Sequence, residues 1–201
     1  MKEMSYERVI VAALMVSVVA FPASAALKRG DKAPDFSAKA SLAGKEFAFS
    51  LSEARKKGPV VVYFYPSAFT GGCNIEAHTF AENKEKFDAA GASIIGVSAD
   101  SITRLNAFSA DPQYCAGKIP VASDPDGSIA KSFELKTSPG KPGMKDTRGE
   151  DIDHDFTERT TFVVTPDGTI AATLSSSDDK ITPAQHVEKS LAAVQELKGS
   201  K

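Results

Sequence analysis

The strongest constraint on this chain is an apolar run that ends at a proline and gives way to a glycine pair and a cysteine. Val60-Val61-Val62-Tyr63-Phe64-Tyr65 reads as a buried strand. Pro66 ends it, because proline has no N–H for a ladder. Gly71-Gly72 permit a tight backbone, and a helix-like segment then runs from about Cys73 to Ala90. Cys73 is therefore expected at the start of a helix, beyond the C-terminal end of a strand. Unpaired N–H groups and the helix dipole favour an anion there. A cysteine in that position favours the thiolate, its nucleophilic form. A single cysteine is ordinarily a small buried hydrophobe. Pro66, Thr70 and the glycine pair around this one point to catalysis instead.

The chain has 201 residues, enough for one domain with a proper core. Its formal net charge is −2, so no basic balance argues for nucleic acid. Met1–Ala25 reads as a signal peptide. Lys2 and Arg8 give a positive start, diluted by Glu3 and Glu7, and Val9–Phe21 is apolar apart from Ser17. Ala23-Ser24-Ala25 matches a small-x-small cleavage site, and residues 26–201 form the mature domain. The other reading of this segment is an uncleaved anchor, though the run is short for a membrane span. Export to a periplasmic or extracellular space implies an oxidising compartment where disulfides persist. Two cysteines are too few for a disulfide scaffold, and no C-x-x-C occurs, which weighs against a thioredoxin-type exchanger. His78, His154 and His186 have no zinc spacing with the cysteines. No metal or cofactor is expected.

The remaining segments alternate in type. Phe36–Ser41 and Glu46–Phe49 predict a hairpin about Leu42-Ala43-Gly44-Lys45. Ser50-x-x-Glu53 is a capping box for a short helix ending near Gly58. The helix after Cys73 is expected to bury Ile75, Phe80 and Phe87 and to end at Gly91. Ala92–Ser98 is a second buried strand, Ser101 caps a helix over Ile102–Ala110, and Ile119–Ala122 is a third strand. Ile129–Leu135 is a short helix. Residues 136–156 are polar and rich in Gly and Pro, and read as a surface loop. Thr160–Val164 and Thr169–Leu174 predict a hairpin about Pro166-Asp167-Gly168. Thr182-Pro183 opens the last helix, with Val187, Leu191, Val194 and Leu197 inward. Strands alternating with helices predict an α/β fold around a central mixed sheet flanked by helices.

Pro66-x-x-x-Thr70-x-x-Cys73 resembles the signature of the peroxiredoxins, and Thr-Gly-Gly-Cys looks most like the bacterioferritin-comigratory or peroxiredoxin Q group. Gly30-Asp31-Lys32-Ala33-Pro34-Asp35-Phe36 resembles the family's entry motif. The resemblance covers nearly all of residues 27–197. It implies a thioredoxin-like fold with an N-terminal β-hairpin extension, and a thiol peroxidase acting on hydrogen peroxide and alkyl hydroperoxides.

The resemblance also implies roles. Cys73 is the peroxidatic nucleophile. Thr70 is the hydroxyl that donates to the peroxide, against a plain loop-capping threonine. Pro66 shields the thiolate and fixes the loop. Arg159, in Glu158-Arg159-Thr160-Thr161-Phe162, resembles the family's R-x-[T/S]-F strand entry, which sets an arginine beside the cysteine. Its forked, always-charged guanidinium suits that task. The other reading is an exposed edge-strand arginine. Glu76 reads equally well as a first-turn surface carboxylate or as part of the site. The sulfenic acid formed on Cys73 needs a thiol partner. The near resolving position holds His78, which leaves Cys115 as the resolving candidate or as a structural thiol. The expected partners are a peroxide and a thioredoxin-like or other thiol reductant, with the chain a monomer or homodimer. A redox sensor or thiol chaperone on the same residues is the alternative function.

Overall fold

The structure, a computed structural model, describes residues 26–199. The signal-peptide expectation for Met1–Ala25 lies outside the described residues. In chain order the elements are β1 (Ser37–Leu42), β2 (Lys45–Ser50), α1 (Leu51–Arg55), β3 (Val60–Phe64), α2 (Gly71–Ala89), β4 (Ser93–Ser98) and α3 (Ile102–Ala110). There follow β5 (Val121–Ser123), α4 (Ser128–Ser132), β6 (Thr137–Ser138), β7 (Phe156–Thr157), β8 (Thr160–Val164), β9 (Ile170–Ser175) and α5 (Pro183–Gly199). Seven strands form one mixed sheet in the order β2-β1-β5-β4-β3-β8-β9. β3 and β5 run parallel to β4, and the other neighbours are antiparallel.

Local chemistry explains the boundaries. The β1–β2 hairpin turns on Ala43 and Gly44, both at positive φ as a two-residue primed turn requires. The capping box at α1 is only half made. Ser50 Oγ accepts from Glu53 N–H at 3.4 Å, while the Glu53 carboxylate pairs with Lys56. At α5 the reciprocal pair is complete, because Thr182 Oγ1 accepts from Gln185 N–H and Gln185 Oε1 accepts from Thr182 N–H. α2 ends in a Schellman motif. Ala92 N–H reaches Phe87 O and Gly91 N–H reaches Asp88 O, with Gly91 at φ +75.

β3 sits mid-sheet, and its alternate residues feed two cores. Val61 and Tyr63 face the side covered by α2, α3 and α5, with Phe80, Phe87, Leu105, Phe108, Val187 and Val194. Val60, Val62 and Phe64 face the side with Leu51, Ile129, Phe133 and Phe162. A strand buried on both faces has no polar alternation, which is why the run is continuously apolar.

Three expectations need correction. Ile75 is on the outer side of α2 and is 54% exposed. Cys73, Ala77 and Phe80 take the inner face at helical spacing, and Ile75 falls off it. α4 stops at Ser132 rather than Leu135, because Glu134 enters the left-handed region at φ +59. Residues 136–156 are not a solvated loop. β6 pairs with β7 at its ends, and Asp146 and Ile152 are buried within it. Its polar residues find partners inside the protein instead of water, a distinction that composition does not carry.

Candidate active site

Cys73 lies in the first turn of α2, two residues later in the helix than expected, and is 2% exposed. The first helical bond is Asn74 N–H to Thr70 O at 2.8 Å. It leaves the N–H groups of Gly71, Gly72 and Cys73 directed out of the helix start. The Thr70 side chain does not cap them.

Sheet register brings Arg159 to this point. β8 pairs with β3 so that Thr160 lies opposite Phe64, which sets Arg159 beside the end of β3 where the Pro66 loop begins. Arg159 Nη2 donates to Cys73 Sγ at 3.1 Å, and Nη1 donates to Glu76 Oε2. Ser176 N–H holds the Arg159 carbonyl at 3.1 Å. Gly72 leaves room for the guanidinium, since a Cβ there would lie 3.2 Å from Arg159 Nη2 and 3.4 Å from Pro183 Cγ.

Glu76 is fully buried, one turn after Cys73 on the same side of α2, so the surface reading of this residue is wrong. Burial raises its pKa to about 7, and the Arg159 charge and hydrogen bond hold it from going higher. Spacing was the available signal, because positions 73, 76, 77 and 80 share one helical stripe.

The loop before the helix is tied internally. Thr70 Oγ1 donates to Ser67 O at 2.7 Å. Its one proton is thus committed to the loop, with the lone pairs left over, where donation toward a peroxide was expected. The cause is local: a threonine three residues past a carbonyl in a turn satisfies that carbonyl readily. Half-buried Pro66 follows Tyr65, the residue whose N–H makes the bond to Val97 O.

Sequence reading missed the aromatic wall behind the thiol. Tyr63 stacks on Tyr65 and Phe80, with ring centroids 5.4 and 4.6 Å away. Both phenols are buried, Tyr63 without a protein partner, and burial first, then Cys115 for Tyr63 and Asp100 for Tyr65, raises their pKa values well above the usual range. Gly96 makes room for this ring, because a Cβ there would lie 2.5 Å from Tyr63 Cζ. It also missed His186, which is buried and pairs with Thr161 Oγ1 at 2.9 Å and Ser176 Oγ at 2.8 Å. Burial, then the Arg159 charge, pushes it down to about 4, so it is neutral behind the arginine.

Cys115 is fully buried in the turns after α3. Burial, then Asp111, pushes its thiol well above the ordinary range. Its neighbour Tyr114 packs edge-on against Phe69 of the Pro66 loop at 5.6 Å. Both cysteines are free. His78 is on the surface, 3.3 Å from Glu82. Among the described residues no group of three His, Cys, Asp or Glu side chains is placed to hold a metal ion.

A thiol at a helix start, touched by a guanidinium and backed by apolar rings, suits attack on a polarised bond with negative charge leaving. The AhpC/TSA family profile matches residues 29–173. The chain belongs to the AhpC/TSA family. Its relatives include the chloroplastic peroxiredoxin Q of Sedum lineare, 32% identical, with 74% of this chain and 69% of the relative aligned. Peroxidoxin BcpB of Mycobacterium tuberculosis superposes with a TM-score of 0.69 at 29% identity, covering 85% of this chain and 97% of that one. The Xanthomonas campestris bacterioferritin comigratory protein, whose trapped intermediate and ligand complexes concern alkyl peroxide reduction, superposes at 0.61 with 30% identity, covering 80% and 91%. The bacterioferritin-comigratory and peroxiredoxin Q likeness and the thioredoxin-like fold expected from sequence are both found. The N-terminal β1–β2 hairpin forms one edge of the same mixed sheet that carries the cysteine helix.

Proposed function

We propose that this protein is a thiol peroxidase that reduces hydrogen peroxide and alkyl hydroperoxides through Cys73. The single observation that carries the reading is Arg159 Nη2 at 3.1 Å from Cys73 Sγ, in the first turn of a helix. The thiolate attacks one peroxide oxygen. An S–O bond forms, the O–O bond breaks, and the leaving alkoxide takes a proton to become alcohol or water. Arg159 steadies the thiolate and then the charge growing on the leaving oxygen, and the free N–H groups of the helix start face the same point. Glu76 acts through Arg159 by fixing its plane. Thr70 and Pro66 shape the loop around the sulfur. Peroxide consumption with dithiothreitol as reductant tests the reading. The peroxidase consumes many equivalents per protein at a rate far above that of dithiothreitol alone, and a protein that leaves that background rate unchanged is not one.

Cys115 is proposed as the resolving thiol. Its sulfur attacks the Cys73 sulfenic acid, a disulfide forms, and water leaves. An external dithiol, thioredoxin-like or otherwise, then returns both thiols. A disulfide requires Cα atoms about 4.4–6.8 Å apart, and the Cys115 thiol is enclosed at rest. The loop around Pro112–Gly117 and the first turn of α2 therefore have to open in each cycle. Cys115→Ala is expected to keep the peroxide-consuming step and to lose turnover with dithiol protein donors. It also accumulates sulfinic acid at Cys73 faster than wild type under excess peroxide, as intact-mass measurement would show. Normal turnover of that variant, together with no loss of two hydrogens in wild type after one equivalent of peroxide, would make this a one-cysteine enzyme.

Export is the third part of the proposal. It is supported by the apolar run and by Ala23-Ser24-Ala25. No helix among the described residues is long and apolar enough to cross a membrane. N-terminal sequencing of the native protein is expected to begin at Ala26, and an intact Met1 in the membrane fraction would mean an anchor. An oxidising compartment calls for an exported or membrane-linked thiol donor. A monomer or homodimer is the expected assembly.

A further inference from the structure

The backbone of the Pro66–Thr70 loop is fastened from outside, group by group. Ala68 N–H donates to Asp100 Oδ2 at 2.7 Å, and Ser67 Oγ donates to Asp100 Oδ1 at 3.0 Å. Ala68 O accepts from Arg104 Nη2 at 3.0 Å. Phe69 O accepts from both Thr147 N–H and Thr147 Oγ1 at 2.9 Å. Phe69 itself is held at φ +59, a conformation that side-chain-bearing residues rarely keep without support. Arg148 covers its ring at 3.3 Å, and Asp146 links Arg104 to Arg148 at 2.8 Å each. The segment from Asp146 to His154 is thus strapped onto the loop that precedes Cys73.

His154 closes the strap, and its partners fix its charge. Nδ1 lies 2.8 Å from Asp155 O, and Nε2 lies 2.9 Å from Asp100 Oδ1. A carbonyl and a carboxylate only accept, so both ring nitrogens must donate, and only the imidazolium does that. Without its second proton, the Nε2 lone pair would face the Asp100 oxygen. The donor then within reach is Ser67 Oγ at 3.3 Å, which could satisfy Nε2 only by leaving Asp100. Ser67 is the residue whose carbonyl holds the Thr70 hydroxyl.

We propose that His154 is a positioning residue for Cys73: as the imidazolium it latches Asp100 beneath Ser67 and Ala68, and the loop loosens when His154 loses a proton. The electrostatic surroundings agree. Burial opposes charge on His154, yet the hydrogen bond and charge of Asp100 raise its pKa above 6.5. Asp100 is itself held low, its bonds from His154, Ala68 and Ser98 overcoming burial. Arg104 works against the latch from α3, with Nε 2.8 Å from Asp100 Oδ1 but not aimed along a hydrogen bond. Asp146 offsets that charge. On the open side, Asp126, Lys131, Asp153 and Asp155 line with His154 a cleft of about 420 Å³. A group whose folded pKa is raised gives its full contribution below the unfolded value and loses it as pH climbs through the folded value. The latch is therefore shut well below pH 6.5 and opens as pH climbs through the raised value above it.

This inference rests on the peroxidase reading only for its effect on rate, so the test has arms that do not use peroxide. The His154 imidazole would be titrated by carbon-13 NMR in the whole protein, its signal assigned by its absence in His154→Gln. Amide hydrogen exchange of the loop residues Ser67–Thr70 would be followed over the same pH range and corrected for intrinsic exchange. The expected midpoint lies above 6.5. Exchange at Ala68 and its neighbours should rise several-fold through it, and His154→Gln should exchange fast at every pH. In single-turnover oxidation of Cys73 by hydrogen peroxide, wild type should show a falling limb at high pH that the variant lacks. A midpoint at or below 6.5, or exchange at Ser67–Thr70 indifferent to the titration, overturns the latch, and both can be read in wild type if the variant does not fold. Exchange that follows the imidazole in a protein that never consumes peroxide would overturn the peroxidase reading and leave the latch in place.

Discussion

Replacing Cys73 with serine is expected to reduce peroxide consumption to the uncatalysed background. A hydroxyl is scarcely ionised near neutral pH, and it is a poor nucleophile toward an O–O bond. The serine Oγ can still accept from Arg159 Nη2, and the residue is small enough for the site of Cys73, so the fold should survive. Circular dichroism would show native secondary structure, while a peroxide electrode records the loss. The variant separates chemistry from stability cleanly, because the buried Glu76–Arg159 pair stays intact.

Arg159→Lys is expected to give the second largest effect, a fall in the rate of Cys73 oxidation of about 10²-fold, at the lower end of what losing one preorganised donor costs. The charge is kept but the fork is not. Arg159 reaches Cys73 through Nη2 and Glu76 through Nη1 at once, and a single ammonium cannot hold both positions. With that contact weakened, burial governs Glu76, and its carboxyl should keep its proton to a higher pH than about 7. Rapid-quench measurement of sulfenic acid formation would give the rate. A Lys variant that reacts at the wild-type rate would remove Arg159 from the proposed chemistry.

Much of this arrangement is legible in sequence, for physical reasons. The apolar run, Pro66 and the glycine pair dictate strand, loop and helix with little help from the rest of the chain. The cap at Thr182 and the turn at Gly44 are likewise local. Arg159 could be named by resemblance, but its approach to Cys73 depends on the pairing of β8 with β3, which no local pattern specifies. Glu76 stays open between surface and site in sequence, because a carboxylate in a first helical turn is usually solvated and its burial depends on an arginine from another strand. Ile75 was misplaced by counting an apolar residue as inward although Cys73 and Ala77 define the inner stripe. The largest failure was residues 136–156. Their charge and glycine content resemble a solvated loop, yet Asp146, Thr147, Arg148 and His154 spend their polar groups on Ser67, Phe69, Asp100, Arg104 and one another. Polar residues that satisfy one another inside a protein look the same in sequence as polar residues that face water.

The most direct measurement is intact-mass spectrometry and peptide mapping of the reduced protein, before and within seconds of adding one equivalent of hydrogen peroxide. Consumption through Cys73 predicts one oxygen on the Cys73 peptide, trapped by a sulfenic acid reagent, or its conversion to a Cys73–Cys115 disulfide with loss of two hydrogens, at a rate far above that of free cysteine. Unmodified Cys73 alongside intact peroxide, or oxidation no faster than that of free cysteine at the same pH, would contradict it.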